Sequence, residues 1–198
     1  MTSATPPRLA EILLHLVLDS KDQATVSGDL LEEFRDSIRP RQGPSAANGW
    51  YIRQVIGFVV RSNVVPALLF GGAFVARTAM DWLWPPANFH TRSLISTLVA
   101  VSILLVTGFF ASWKSGSILA GGLSGLTTTA LAALMSTVSV LALLAIWHDA
   151  PTLQAIEDSG GLSEVFFLPM MSIVPGVLFG ATGGVAGTAV HWSMRRSS

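Results

Sequence analysis

The sequence has no cysteine. That absence excludes disulfides, thiolate metal sites, iron–sulfur clusters and thiol catalysis, and leaves the redox compartment open. Charge is scarce as well. Only 12% of the 198 residues are Asp, Glu, Lys or Arg, about half the share usual in soluble domains. The 12 basic and 12 acidic residues balance, so the chain lacks the basic excess of a nucleic-acid binder. Apolar residues are abundant: they make up 51% of the chain, and mean hydropathy is +0.56. A soluble domain of this size could not hide that much apolar surface behind so little charge. The composition therefore predicts an integral membrane protein.

The scarce charge is unevenly placed. Residues 1–61 hold seven basic and seven acidic residues, and the following 137 hold five of each. The first part reads as a water-exposed head at 1–47, followed by a juxtamembrane helix at 48–61 and a membrane domain at 62–198. Arg39-Pro40-Arg41-Gln42-Gly43-Pro44-Ser45 has linker composition. The run Ile12–Leu18 is short, is broken by His15 and lacks a following cleavage site. It is expected to remain on the mature chain rather than act as a signal peptide.

A helix needs ~20 largely apolar residues to cross the hydrocarbon core. Four stretches qualify: about 62–82, 94–111, 117–146 and 165–190. Pro66 is expected to kink the first, and Pro169 and Pro175 to interrupt the fourth. All six Trp (50, 82, 84, 113, 147 and 192) fall at or near span ends, where indole prefers the headgroup zone. Arg53, Arg61, Lys114, Arg195 and Arg196 lie on one side of these spans, Arg77 and Arg92 on the other. The cation-rich side is expected to be cytoplasmic and to hold both termini. In the loop 148–164, Asp149, Pro151 and Gly160 suit the cap, first turn and end of a short helix.

The head reads as helical. Pro6 and Pro7 suit a first turn, with Thr5 as cap, and Leu9, Ile12, Leu13, Leu16 and Val17 recur at helical spacing. A second helix runs from about Asp22 or Asp29 to Arg39. Leu30, Leu31, Phe34 and Ile38 share one side of it, and Asp29, Glu32, Glu33 and Asp36 share the other. Asp29 and Glu32 have capping-box spacing. A third helix from about Ala46 carries Trp50, Tyr51, Val55 and Phe58 towards the first span.

Three pieces of the head resemble a known segment. Pro7-Arg8-Leu9-Ala10-Glu11, Gly28-Asp29-Leu30-Leu31-Glu32-Glu33-Phe34 and Trp50-Tyr51-Ile52-Arg53-Gln54 are similar to the "permease prefix" segment. That segment precedes the membrane domain in some bacterial ABC-type permeases of the macrolide-exporter class. The resemblance covers about residues 7–54, and the Gly-Asp-Leu-x-Glu-Glu-Phe run is its most specific part. Those permeases add a long extracytoplasmic domain and a permease core, for which residues 62–198 are too few. The resemblance thus implies a shared head module and a bacterial inner membrane, without carrying permease activity onto the four spans.

Catalytic and metal chemistry is poorly represented. The second, third and fourth spans contain no Asp, Glu, His, Lys or Arg, although ion-coupled transporters need ionisable groups at membrane depth. Arg77 sits one turn before Asp81, spaced for an i,i+4 contact, and reads as an interfacial, snorkelling cation rather than a gate or ligand contact. Gly122-Leu123-Ser124-Gly125 resembles the Gly-x-Ser-Gly nucleophile motif of rhomboid proteases. Ser124, however, lies ~12 Å along its helix from the face where His191 sits, and a base must touch its nucleophile. His15, His90, His148 and His191 show no ligand spacing. No catalytic residue, cofactor or metal site is therefore assigned.

The stronger pattern is small residues. Gly121 and Gly125 form one GxxxG, and Gly176, Gly180 and Gly184 form two more in register. Such faces let helix backbones approach closely, within one bundle or between chains. The expectation is an all-α protein: a small cytoplasmic helical head on a four-helix membrane bundle. Its leading function is an accessory or regulatory membrane protein that assembles with a membrane partner, an ABC-type permease fitting best. Asp29, Glu32, Glu33 and Asp36 would dock that partner. The alternatives are a small transporter or channel subunit that forms a pathway by oligomerising and, further off, an intramembrane hydrolase. Lipid and another membrane protein or a second copy are the expected partners; nucleic acid is not.

Overall fold

A computed structural model describes residues 5–19, 21–86 and 88–196. The parts of the expected head and membrane regions at 1–4, 20, 87 and 197–198 lie outside the described residues. The described residues are mostly helical and include no strand. α1 (Arg8–Val17) and α2 (Gln23–Glu32) are followed by a π-helical run, Glu33–Ile38, and the short α3 (Arg39–Gln42). Then come α4 (Pro44–Leu83), α5 (Phe89–Ser115), α6 (Ile118–Ile146), α7 (Ala150–Asp158), α8 (Gly161–Met171) and α9 (Ile173–Arg196). Four helices are long and apolar enough to cross a membrane: α4, α5, α6 and the α8–α9 pair. The long helices alternate in direction, so α1 and the last turns of α9 lie at the same end of the bundle.

α4 differs most from the sequence reading. Its 40 residues are twice the ~20 that a crossing needs. The expected boundaries at 47/48 and 61/62 both fall inside it, and it continues through Pro66. Neighbouring helices can re-satisfy the backbone groups that a proline frees. The expected linker is almost entirely helical. Only Gly43 leaves the helix, at φ 82, a left-handed value that costs glycine no Cβ clash.

The N-terminal helices pack on the first turns of α4. Leu14, Phe34, Tyr51 and Val55 are fully buried together, with Ala10, Leu30, Ala47 and Val59 around them. The Phe34 and Tyr51 rings meet edge to face at 5.7 Å, a favoured aromatic geometry. Three local expectations are corrected here. α1 starts at Arg8 with Pro7 in the cap position and no side-chain cap, so neither Pro6 nor Pro7 lies in its first turn. α2 starts after Asp22, which puts Asp29 mid-helix and removes the Asp29–Glu32 capping box. α1 buries Ala10 and Leu14 and leaves Leu9 and Ile12 exposed. Its apolar arc is wide, running from Ile12 through Leu9 and Leu13 to Leu14 opposite the polar side of Arg8, Glu11 and His15, so spacing alone did not single out the edge that is buried.

The far end of the bundle carries the short α7, buried through Thr152, Ala155 and Ile156. The Asp149 carboxylate accepts the Thr152 hydroxyl at 2.6 Å rather than a backbone N–H. The fourth long apolar segment begins at Gly161 and breaks at Ser172, between Pro169 and Pro175.

Candidate functional site

The acid stripe is displayed to solvent. Asp29, Glu32, Glu33 and Asp36 are all exposed, while Leu30 and Phe34 between them are buried. Glu33 and Asp36 belong to the π-helical run, a rare geometry that recurs at functional positions. Helical-wheel reasoning assumes a uniform 100° step, so it could not reveal that run.

The glycine stripes face each other inside the chain. A Cβ on Gly125 would strike the Gly176 carbonyl, and one on Gly180 would strike the Gly121 carbonyl. A Cβ on Gly184 would lie 2.6 Å from the Ser112 hydroxyl. On the neighbouring side of α9, Gly183 and Gly187 meet the backbone of Leu105 and Phe109, and Gly108 of α5 meets Gly180. α9 thus lies backbone to backbone against both α5 and α6. A face crowded by the chain's own backbone is not open to a second chain.

Polar side chains of the bundle are mostly turned inward on the protein. The hydroxyls of Thr127, Thr129 and Thr137 donate to carbonyls four residues back, a common habit of helical threonine. Ser124 donates to the amide oxygen of Asn63, which is buried in α4. Asn63 in turn donates to the Val59 carbonyl at 2.8 Å and the Ser62 hydroxyl at 3.1 Å. His191 meets a different partner, its Nδ1 lying 2.6 Å from the Trp113 carbonyl. Its ring also closes on Gly116, where a Cβ would lie 2.9 Å away. Ser124 and His191 are therefore held in separate hydrogen-bonded sets.

The far end holds a charged cluster that sequence reasoning saw only in part. The Asp81 carboxylate is buried and accepts Arg77 Nε at 3.4 Å and Arg92 Nη1 at 2.8 Å. Arg92 Nη2 also donates to the Trp84 carbonyl at 3.2 Å. Arg77 is thus not merely a snorkelling cation, and Arg92 of α5 ties α5 to the end of α4. Two clefts run along the α4–α5 seam. One of about 480 Å³ lies in the half nearer the termini, lined among others by Asn63, Ser124, Lys114 and Leu16 and Val17 of α1. The other, about 390 Å³, lies in the far half, with Arg77 in its lining. Phe70 and Leu104 are buried between them, with Phe74, Ile103 and Phe179 packed around.

Among the described residues, no three or more His, Asp or Glu come together as a metal site. No family model matches the chain, and no curated protein or solved structure matches it.

Proposed function

We propose that this chain is an accessory or regulatory multi-pass membrane protein that docks a partner through its N-terminal helices. The carrying observation is the exposed acid stripe on a helix whose opposite face is locked onto α4. α4 runs unbroken from that contact into the first crossing, so a load on the stripe would reach the bundle through one rigid rod. The uncovered Leu9 and Ile12 add apolar surface of the kind that interfaces use. The permease-prefix resemblance of residues 7–54 points to an ABC-type permease as the partner. The distribution of Lys and Arg supports a cytoplasmic side for both termini, and the permease-prefix resemblance supports a bacterial inner membrane.

Replacing Glu32 and Glu33 by Gln removes two charges at constant size and similar helix propensity. The double variant is expected to insert and fold normally yet lose its co-purifying membrane partner, most clearly near physiological salt, because charge attraction is screened. Full retention of that partner sinks the docking idea.

The two clefts favour one second reading, a small transporter or channel subunit. They lie in opposite halves of the same seam and are parted by the Phe70 layer. Under that reading Phe70→Ala accelerates solute leak in reconstituted vesicles; under the accessory reading it does not.

A further inference from the structure

The far-end cleft has the shape and charge of a lipid site, a feature separate from partner docking. It runs along α5 from Ser93 to Leu104, which is ~16 Å at 1.5 Å per residue. That is about half of a ~30 Å hydrocarbon core, the depth of one leaflet. Its floor is closed by the buried Phe70 and Leu104 and the half-buried Phe179. Its polar rim is less passive than its walls. The Ser96 and Thr97 hydroxyls already donate to helix carbonyls, but Arg77 uses only Nε, on Asp81. Among the described residues its two terminal nitrogens have no hydrogen-bond partner, although the side chain is only 18% exposed. Arg77 also lines a hollow of about 30 Å³ together with Trp82 and Pro169, room for only about one or two waters. Arg77 is the one charged residue in the cleft's lining, and it shares the Asp81 carboxylate with Arg92, so its own charge is only partly matched by that acid.

An apolar slot one leaflet deep under a partly unsatisfied guanidinium matches an amphiphile with an acyl tail and an anionic head. We propose that this cleft binds one anionic phospholipid of the leaflet at the end opposite the termini, with its phosphodiester on Arg77 and one acyl chain in the slot. In a bilayer no other molecule of that chemistry is as abundant at that depth. Arg donates to a phosphate as a planar fork, and lysine offers only a point charge.

The test uses the full chain in nanodiscs made of equal parts phosphatidylglycerol and phosphatidylcholine, with native mass spectrometry of the released protein. The wild type is expected to keep one phosphatidylglycerol and no phosphatidylcholine. Arg77→Gln is expected to lower that retention about tenfold or more, with Arg77→Lys intermediate. Asp81→Asn separates binding from folding: it breaks the same ion pairs but raises the positive charge, so retention is expected to hold or rise. The proposal is overturned if Arg77→Gln keeps the lipid, if Asp81→Asn loses it as Arg77→Gln does, or if the two lipids are retained equally.

Discussion

Adding one methyl group should have opposite signs at two glycines of this bundle. In Gly180→Ala the new Cβ points at the Gly121 carbonyl and lies 3.0 Å from the Gly125 Cα and 3.1 Å from its nitrogen. These neighbours are backbone atoms, so no side chain can swing aside, and α6 and α9 must separate. Such overpacking typically costs about 1–3 kcal/mol. Against it stands about 0.5–1 kcal/mol gained when Ala replaces Gly inside a helix. The balance makes Gly180→Ala destabilising by about 1–2 kcal/mol. In Gly72→Ala, also inside a helix, the new Cβ meets nothing within 4 Å. Only the propensity gain is left there, so the variant should be neutral or more stable by up to about 1 kcal/mol. Reversible unfolding in mixed detergent micelles, followed by tryptophan fluorescence, reads both differences. Gly180→Ile should be worse than Gly180→Ala, while an equally bulky change at Leu178, 62% exposed, should do little. Shifts in the same direction for Gly180→Ala and Gly72→Ala would refute the close approach of α6 and α9.

Three further outcomes are expected. Phe34→Ala removes a ring that is 1% exposed and should cost about 3–5 kcal/mol, detaching α1 and α2 from α4; limited proteolysis should then cut within residues 19–43. Ser124→Ala leaves the buried Asn63 oxygen without its donor and should cost about 0.5–1.5 kcal/mol, most of it recovered by adding Asn63→Leu. Topology reporters fused at either terminus should report one side, and insertions near Asn88 and Ser159 the other; a split result for the two termini would contradict the four crossings.

What the sequence made legible was whatever rests on local chemistry. Asp149, Pro151 and Gly160 marked α7 to within a residue, because a cap position, a fixed φ and a left-handed exit are each properties of a single residue. The glycine repeats marked close-packing faces, since small size at a four-residue period has few other uses. Features that depend on partners distant in sequence were less visible. Arg92 reaches back eleven residues to Asp81, and nothing in the loop between them announces it. Asn63 and Ser124 are 61 residues apart. The available signal was Asn63 itself, a lone amide at the start of an apolar run, which needs a buried partner in a membrane. The continuity of α4 was hidden by composition. Arg39–Ser45 looks like a linker, yet helix on both sides leaves only Gly43 to make the turn. The anionic-lipid cleft belongs to the same class, because its walls come from α4, α5, α8 and α9 at once.

The account's central claim is that the acid stripe meets a partner. Gly28 offers a direct probe: it is exposed on α2, one residue before Asp29, and a side chain added there meets nothing within 4 Å. A photo-crosslinking residue at position 28 in intact cells should form one discrete adduct with a membrane protein. That adduct should disappear when Glu32 and Glu33 are changed to Gln, while the same probe at the exposed Ile56 of α4 is unaffected by that change. A position-28 adduct that survives the loss of both charges, or no protein adduct at all, would contradict the claim and leave the stripe a solvated helix face.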